Sequence, residues 1–196
     1  MDLRSGQVCY NFPSMADVTI QQIGSKILHR GGHIRLTMDT FRTADGRRFR
    51  RETIHHPASV VILPLLAGNR VVLIRQFRSA LGRYIYEIPA GTAEPGEPLA
   101  RCARRELAEE AGYRAARWTR LHAFYPAPGI STERMVLFRA EGLSLLTRAP
   151  DKDPDEYITN VVVPAKEAIA MVRKNQIVDA KSIIGILFGL KKICWS

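Results

Sequence analysis

The feature that most restricts the fold is a 23-residue window, Gly91 to Tyr113, in which a loop rich in Gly, Pro and Glu runs into a short amphipathic helix. Glu97 followed by Pro98 opens the helix, because an acidic side chain complements the positive end of the helix dipole and proline tolerates the first helical position. Gly112 closes it, since glycine takes the left-handed conformation that terminates helices. Leu99, Ala103, Leu107 and Ala111 form an i, i+4 apolar row. Beside that row, Glu106, Glu109 and Glu110 fall within about a 100° sector at about 100° per residue. Such a helix packs on a hydrophobic core and turns its acidic flank to a cleft. Like charges four apart, here Glu106 and Glu110, cost a helix about 0.2–0.5 kcal/mol, and more when partly buried, unless something positive sits between them. Oxygen-only ligands select a hard cation, magnesium or manganese. The competing reading is a solvated acidic face tied down by Arg101 and Arg105, the latter four residues before Glu109.

Two β-branched apolar runs, Ser59 to Leu66 and Val71 to Gln76, flank a turn at Gly68 and Asn69 and predict a buried hairpin that starts the core. Upstream, Lys26 to His56 reads as a small antiparallel unit. Ile34, Leu36, Met38 and Phe41 partly alternate there, and a turn at Ala44, Asp45 and Gly46 leads into Phe49 to Ile54. Downstream, Tyr84 to Pro89, Arg120 to Tyr125, Arg134 to Arg139 and Tyr157 to Val163 are strand-like, with loops over Gly91 to Gly96 and Pro126 to Glu133. Pro164 to Lys174 is helical, and Asp179 caps a last helix through Lys191. Strands and helices mix without regular alternation, which gives an α+β layered domain. The expected division of the 196 residues is a flexible extension (1–25), an N-terminal β unit (26–56) and one main domain (57–196). So small a sheet needs another surface to bury its face, so the N-terminal unit is expected to pack across a homodimer.

Lys and Arg number 29 against 19 Asp and Glu, a net charge of +10 that attracts nucleotides, phosphosugars or nucleic acid. Nucleic acid is the weaker choice, because the basic residues do not alternate with exposed aromatics in a stacking pattern. Cys9, Cys102 and Cys194 are scattered and odd in number, which suggests neither a disulfide framework nor a zinc site and fits a reducing compartment, the cytoplasm. The longest strongly apolar run, Ile183 to Leu190, is far too short to span a membrane.

From Gly91 the chain reads Gly, five residues, Glu97, seven residues, Arg105, Glu106, Leu107, any, Glu109, Glu110, any, Gly112. This resembles the Nudix box at eight specified positions, and only Tyr113 departs, where that family usually has an aliphatic residue. The resemblance implies an αβα-sandwich hydrolase that cleaves a nucleoside diphosphate linked to another group, with a small N-terminal β-sheet unit ahead of a Nudix domain over 57–196. It further implies magnesium, or manganese, held by Glu106 and Glu110 with Glu109 assisting and the Ala90 carbonyl completing the shell. Glu97 then pairs with Arg105 in a structural role, and Gly91 lets the backbone turn beside the metal.

Beyond the box, from roughly Gly32 to Lys191, the chain is similar to the ADP-ribose pyrophosphatase branch. Arg50, Arg51, Glu52 and the His56–Pro57 pair carry the likeness, as do Arg75 to Arg78, Tyr86 to Gly91, Ala127 to Glu133 and, more weakly, Ile177 to Ser182. This likeness implies magnesium-dependent hydrolysis of ADP-ribose or a related nucleoside diphosphate sugar to AMP and ribose 5-phosphate. Arg51, Glu52 and Arg78 then contact the terminal ribose, phosphates or adenine, Ser131 and Glu133 border the substrate, and N-terminal sheets exchange between protomers. The branch takes its base from a glutamate on an acidic loop, matched here by Asp151 to Glu156, with Asp155, Glu156 and Asp153 as candidates in that order. The alternatives are an enzyme for another diphosphate (a nucleotide sugar, a dinucleotide or a capped RNA end) and a non-catalytic nucleotide sensor. A sensor has no need of three costly carboxylates.

Overall fold

A strand apolar at both registers leaves no face for water, so the run at Ser59 to Leu66 has to sit in a sheet covered on both sides. The computed structural model, which describes residues 19–147 and 157–190, has this arrangement. Along the chain come β1 (Ile20–Arg30), β2 (Arg35–Thr43), β3 (Arg48–His55), β4 (Ser59–Leu66), β5 (Arg70–Arg78), β6 (Arg83–Glu87) and β7 (Ala90–Thr92). They are followed by α1 (Leu99–Ala111), β8 (Tyr113–Phe124), β9 (Met135–Leu145), β10 (Ile158–Pro164), α2 (Ala165–Arg173) and α3 (Ala180–Gly189). The first three strands form a separate antiparallel sheet in the order β1-β2-β3. The main mixed sheet runs β10-β5-β4-β9-β8, with β6 added to β5 and β7 to β4. Among the described strands of this sheet, only β4 and β9 pair in parallel.

Helices cover the two faces of the main sheet. Val60, Ile62, Val136 and Phe138 pack with Cys102, Ala103, Leu107 and Ala111 of α1. On the other face Val61, Leu63, Leu73 and Leu137 pack with Ala168 and Ile169 of α2 and Ile186 of α3. The alternation along β4 thus splits one apolar run between two cores, giving the αβα sandwich. Among the described residues no helix is long and apolar enough to cross a membrane.

Several boundaries differ from the sequence reading. The first strand begins at Ile20 rather than Lys26, and every residue of β1 is exposed, so no alternation marks its polar first half. β8 begins at Tyr113 rather than Arg120, because Arg114 and Arg117 decorate the outer edge of the sheet, where charge blunts pairing with other chains. β9 continues to Leu145, and Gly91 and Thr92, read as loop, pair with Val60 and Ser59. The last helix ends at Gly189. The Gly68–Asn69 turn has both residues at positive φ, as a tight hairpin requires.

The outer sheet is tied to the main domain through its third strand. Ile54 N–H donates to the Ile130 carbonyl at 2.8 Å, and Thr132 N–H donates to the Ile54 carbonyl at 2.9 Å. The loop over 126–133 is thereby continuous with β3.

Candidate active site

The box helix begins at Leu99, with Pro98 extended just before it, and ends at Gly112, whose φ of 71° is the left-handed stop. Glu97 therefore lies outside the helix, and its carboxylate serves Arg105 rather than the helix dipole. Arg105 Nε and Nη2 donate to Glu97 at 3.2 and 3.0 Å, while Nη1 donates to Glu106 at 2.8 Å and to Glu109 at 2.9 Å. Nη2 also reaches the Thr92 carbonyl at 3.2 Å. One guanidinium thus gathers three carboxylates and clamps the loop to the helix. Its hydrogen bond holds Glu97 below the usual carboxylate range, and the reciprocal bond, with the charges of Glu106 and Glu109 near it, raises Arg105.

Glu106 and Glu110 are both buried, although a free carboxylate prefers water. Glu110 Oε2 accepts the Ala90 N–H at 2.8 Å. Glu106 packs directly over Gly91, in space that a Cβ there would fill. Both carboxylates line a cavity of about 410 Å³ with Glu109, Ala90, Gln76, Arg78 and His33. Cys102, in the same helix, has its thiol pushed up to about 12 by burial and by the neighbouring Glu106 charge, so it stays protonated and is no nucleophile.

Three carboxylates, carbonyl oxygens and a glycine cradle make a hard-oxygen donor set, which fits a divalent cation such as magnesium. Among the described residues no three Asp, Glu, His or Cys side chains converge into a ready-made metal cage. Arg105 instead draws Glu106 and Glu109 to itself.

Across the cavity stands an ionic cluster. Arg78 Nε and Nη2 both donate to the Glu87 carboxylate at 2.6 Å, a bidentate pair with Glu87 only 1% exposed. Lys181 also donates to Glu87 and lies 2.9 Å from Asp179. Asp179 caps α3 by accepting from Ser182 N and Oγ, and Ser182 Oγ accepts the Ile88 N–H at 2.9 Å. Burial alone would push Glu87 up, but the Arg78 hydrogen bonds and the Lys181 charge outweigh it and hold Glu87 below the ordinary range. The sequence reading assigned no role to Glu87 or Lys181. The one signal was that each stands in a segment carrying the family likeness.

The other expected residues divide between two further recesses. Glu133 accepts from Ser59 Oγ at 2.7 Å and lines, with Arg78, Ala90 and Lys181, a cavity of about 370 Å³. Arg51, Glu52 and Ser131 line a different recess of about 330 Å³ with Phe41 and Phe49. There the Arg51 guanidinium lies 5.0 Å over the Phe49 ring, and Phe41 stacks on Phe49 at 5.3 Å. Within one chain Arg51 and Glu52 therefore do not share the cavity of the box carboxylates. Asp153, Asp155 and Glu156 lie outside the described residues.

Comparison with known proteins fits this geometry. The family model described as NUDIX domain matches residues 55–183. The chain is 33% identical over 174 residues to an ADP-ribose pyrophosphatase of Bacillus subtilis, covering 89% of this chain and 94% of that relative. It is 32% identical over 153 residues to a GDP-mannose pyrophosphatase of Citrobacter koseri, covering 74% and 80%. A solved structure titled as an ADP compounds hydrolase superposes with a TM-score of 0.79 at 21% identity, over 90% of this chain and 97% of that one, and so shares the fold. With Glu106 and Glu110 buried beside one cavity, the matched region spanning most of the described residues, and relatives above 30% identity along most of their length, the chain belongs to the NUDIX domain family and is a pyrophosphohydrolase.

Proposed function

We propose that the protein hydrolyses, with magnesium, the pyrophosphate bond of ADP-ribose or a related nucleoside diphosphate sugar, releasing AMP and ribose 5-phosphate. The observation that carries this reading is the pairing of buried Glu106 and Glu110 with Arg78 around a single cavity. Acidic groups for a cation and a guanidinium for a diphosphate stand where one ligand can meet both. The relatives named above support the substrate class, and the GDP-mannose pyrophosphatase keeps other nucleotide sugars in view.

Glu106 and Glu110, assisted by Glu109 and the Ala90 carbonyl, would hold magnesium, and manganese suits the same donors. When bound, a divalent cation neutralises the phosphate oxygens that otherwise repel a nucleophile and acidifies water. The chain's own residues position the substrate. Arg78 faces the diphosphate, Glu133 borders it, and Arg51, Glu52 and Ser131 offer an aromatic-floored recess for the nucleoside or ribose. Asp155, Glu156 or Asp153 supplies the base.

The protein works as a homodimer with exchanged N-terminal sheets, in the cytoplasm. Ile23, Ile27 and Leu28 of β1 are exposed, a run of apolar surface suited to a second copy. Exchange also offers a way to bring Arg51 and Glu52 to the carboxylate cavity of the other protomer.

The deciding experiment is a panel of ADP-ribose, GDP-mannose, dinucleotides and capped RNA with and without magnesium, with products read by chromatography. Magnesium-dependent release of AMP from ADP-ribose, faster than from the other substrates, is expected. No release from any of them would leave the sensor reading. Light scattering at micromolar concentration should give twice the chain mass, and a fully active monomer would refute the exchanged dimer.

A further inference from the structure

Lysine is almost never fully buried without a partner, and a cation in the first turn of a helix opposes the dipole. Lys181 goes against the second rule, as the second residue of α3, and meets the first only through its partners Glu87 and Asp179, its side chain being 8% exposed. The helix itself does not require it, because Asp179 already caps the N-terminus through Ser182. Its other partner, Glu87, lies 94 residues away in sequence, on the strand that borders the box.

We propose that Lys181 is a positioning residue for the substrate diphosphate, acting through Glu87 to keep the Arg78 charge available to the cavity. The inference rests on the hydrolase reading above. Glu87 is held by Arg78 at both oxygens and by Lys181. Two cations, Arg78 and Lys181, and two anions, Glu87 and Asp179, make the cluster neutral. A neutral side chain at 181 leaves it at −1, beside a helix that already turns Glu106, Glu109 and Glu110 towards the same cavity, where Arg105 pairs with Glu106 and Glu109. Glu87 then cancels Arg78, and a diphosphate meets repulsion where it met attraction. The Arg78 bonds to Glu87 use Nε and Nη2, so Nη1 still has two N–H donors for phosphate oxygens. Arg78 lines both the box cavity and the neighbouring one with Glu133 and Lys181, so its charge is felt across the whole cleft.

The test separates substrate binding from turnover in Lys181→Met, Lys181→Gln and Lys181→Arg, each checked for folding by circular dichroism. With ADP-ribose and magnesium, the Met and Gln variants should raise KM about tenfold or more while kcat stays within about threefold. Lys181→Arg should return KM to within about threefold of wild type. In an Arg78→Ala background, Lys181→Met should add less than about twofold, because the two act as one unit. A KM unchanged in Lys181→Met, or a full tenfold effect retained without Arg78, overturns the proposal. So does failure of both neutral variants to fold, since Lys181 is then a folding residue. If the wild type hydrolyses nothing on the panel, the hydrolase reading fails by itself. Calorimetric titration with ADP and magnesium then replaces KM: about tenfold weaker binding by Lys181→Met supports the role, and equal binding removes it.

Discussion

A methyl group placed on Gly91 would come within 1.9 Å of the Glu106 carboxyl carbon. The glycine is thus fixed by the carboxylate packed on it, since no other residue leaves Glu106 room to sit against the β7 backbone. Gly91→Ala should force Glu106 off its site and lower turnover by about tenfold or more, with an overpacking cost of about 1–3 kcal/mol. Turnover close to wild type, measured at saturating magnesium and substrate, would show that the packing of Glu106 on Gly91 has no part in the chemistry.

Glu110 and Glu97 should separate activity from stability. Glu110→Gln keeps an oxygen that can accept the Ala90 N–H, so it should fold with little loss, yet it removes a charge from the donor set and should reduce kcat about 100-fold or more. Glu97→Gln breaks the two-point grip of Arg105. A loss of about 1–2 kcal/mol, at about 2–4 °C per kcal/mol for a chain of this size, lowers Tm by about 2–8 °C with a smaller effect on kcat. The reverse ranking in thermal melts and initial rates would contradict these roles.

Acid should loosen the Glu87 cluster. Because Glu87 is held below its unfolded value of 4.5, the stability it contributes is fully present above that pH and is lost as pH falls through the lower folded value. The difference in unfolding free energy between wild type and Glu87→Gln, from urea titrations, should therefore be constant near neutrality and shrink below about pH 4.5. A gap that stays constant down to pH 3 would mean that Glu87 titrates alike in the folded and unfolded chain, so that the cluster does not hold its carboxylate.

The proposed base in the acidic segment Asp151 to Glu156 is open to a direct test. Of Asp155→Asn, Glu156→Gln and Asp153→Asn, at least one should lower turnover by about tenfold or more at saturating magnesium and substrate, a modest threshold for a general base. Three near-normal rates would place water activation with the box glutamates.

Local signals made much of this fold legible, and distant pairings did not. The helix bounded by Pro98 and Gly112 and the hairpin at Gly68 and Asn69 carry their instructions within a few residues, and both lie where the sequence put them. Asp179 caps α3 as expected for the same reason. The start of β1 at Ile20 was not legible, because a strand with no buried face shows no alternation, and the edge position of β8 hid its first half behind arginines. In the site, Arg105 within one turn of Glu106 and Glu109 was readable from spacing. The contact between Glu87 and Lys181 was not, because only the stacking of α3 against the end of β6 brings them together.

The helix that carries Lys181 is itself seated by two glycines four residues apart. A Cβ on Gly185 would come within 2.4 Å of Ile88 Cδ1, and one on Gly189 within 2.4 Å of Leu63 Cδ2. Glycine in a helix interior costs about 1 kcal/mol relative to alanine, so a designer seeking heat resistance would look first to Gly185, inside the helix, and then to Gly189, its last residue. Here that intuition inverts. A side chain at either position has to displace Ile88 or Leu63, both fully buried, so the small local gain is set against the seating of the helix and of the lysine that it carries.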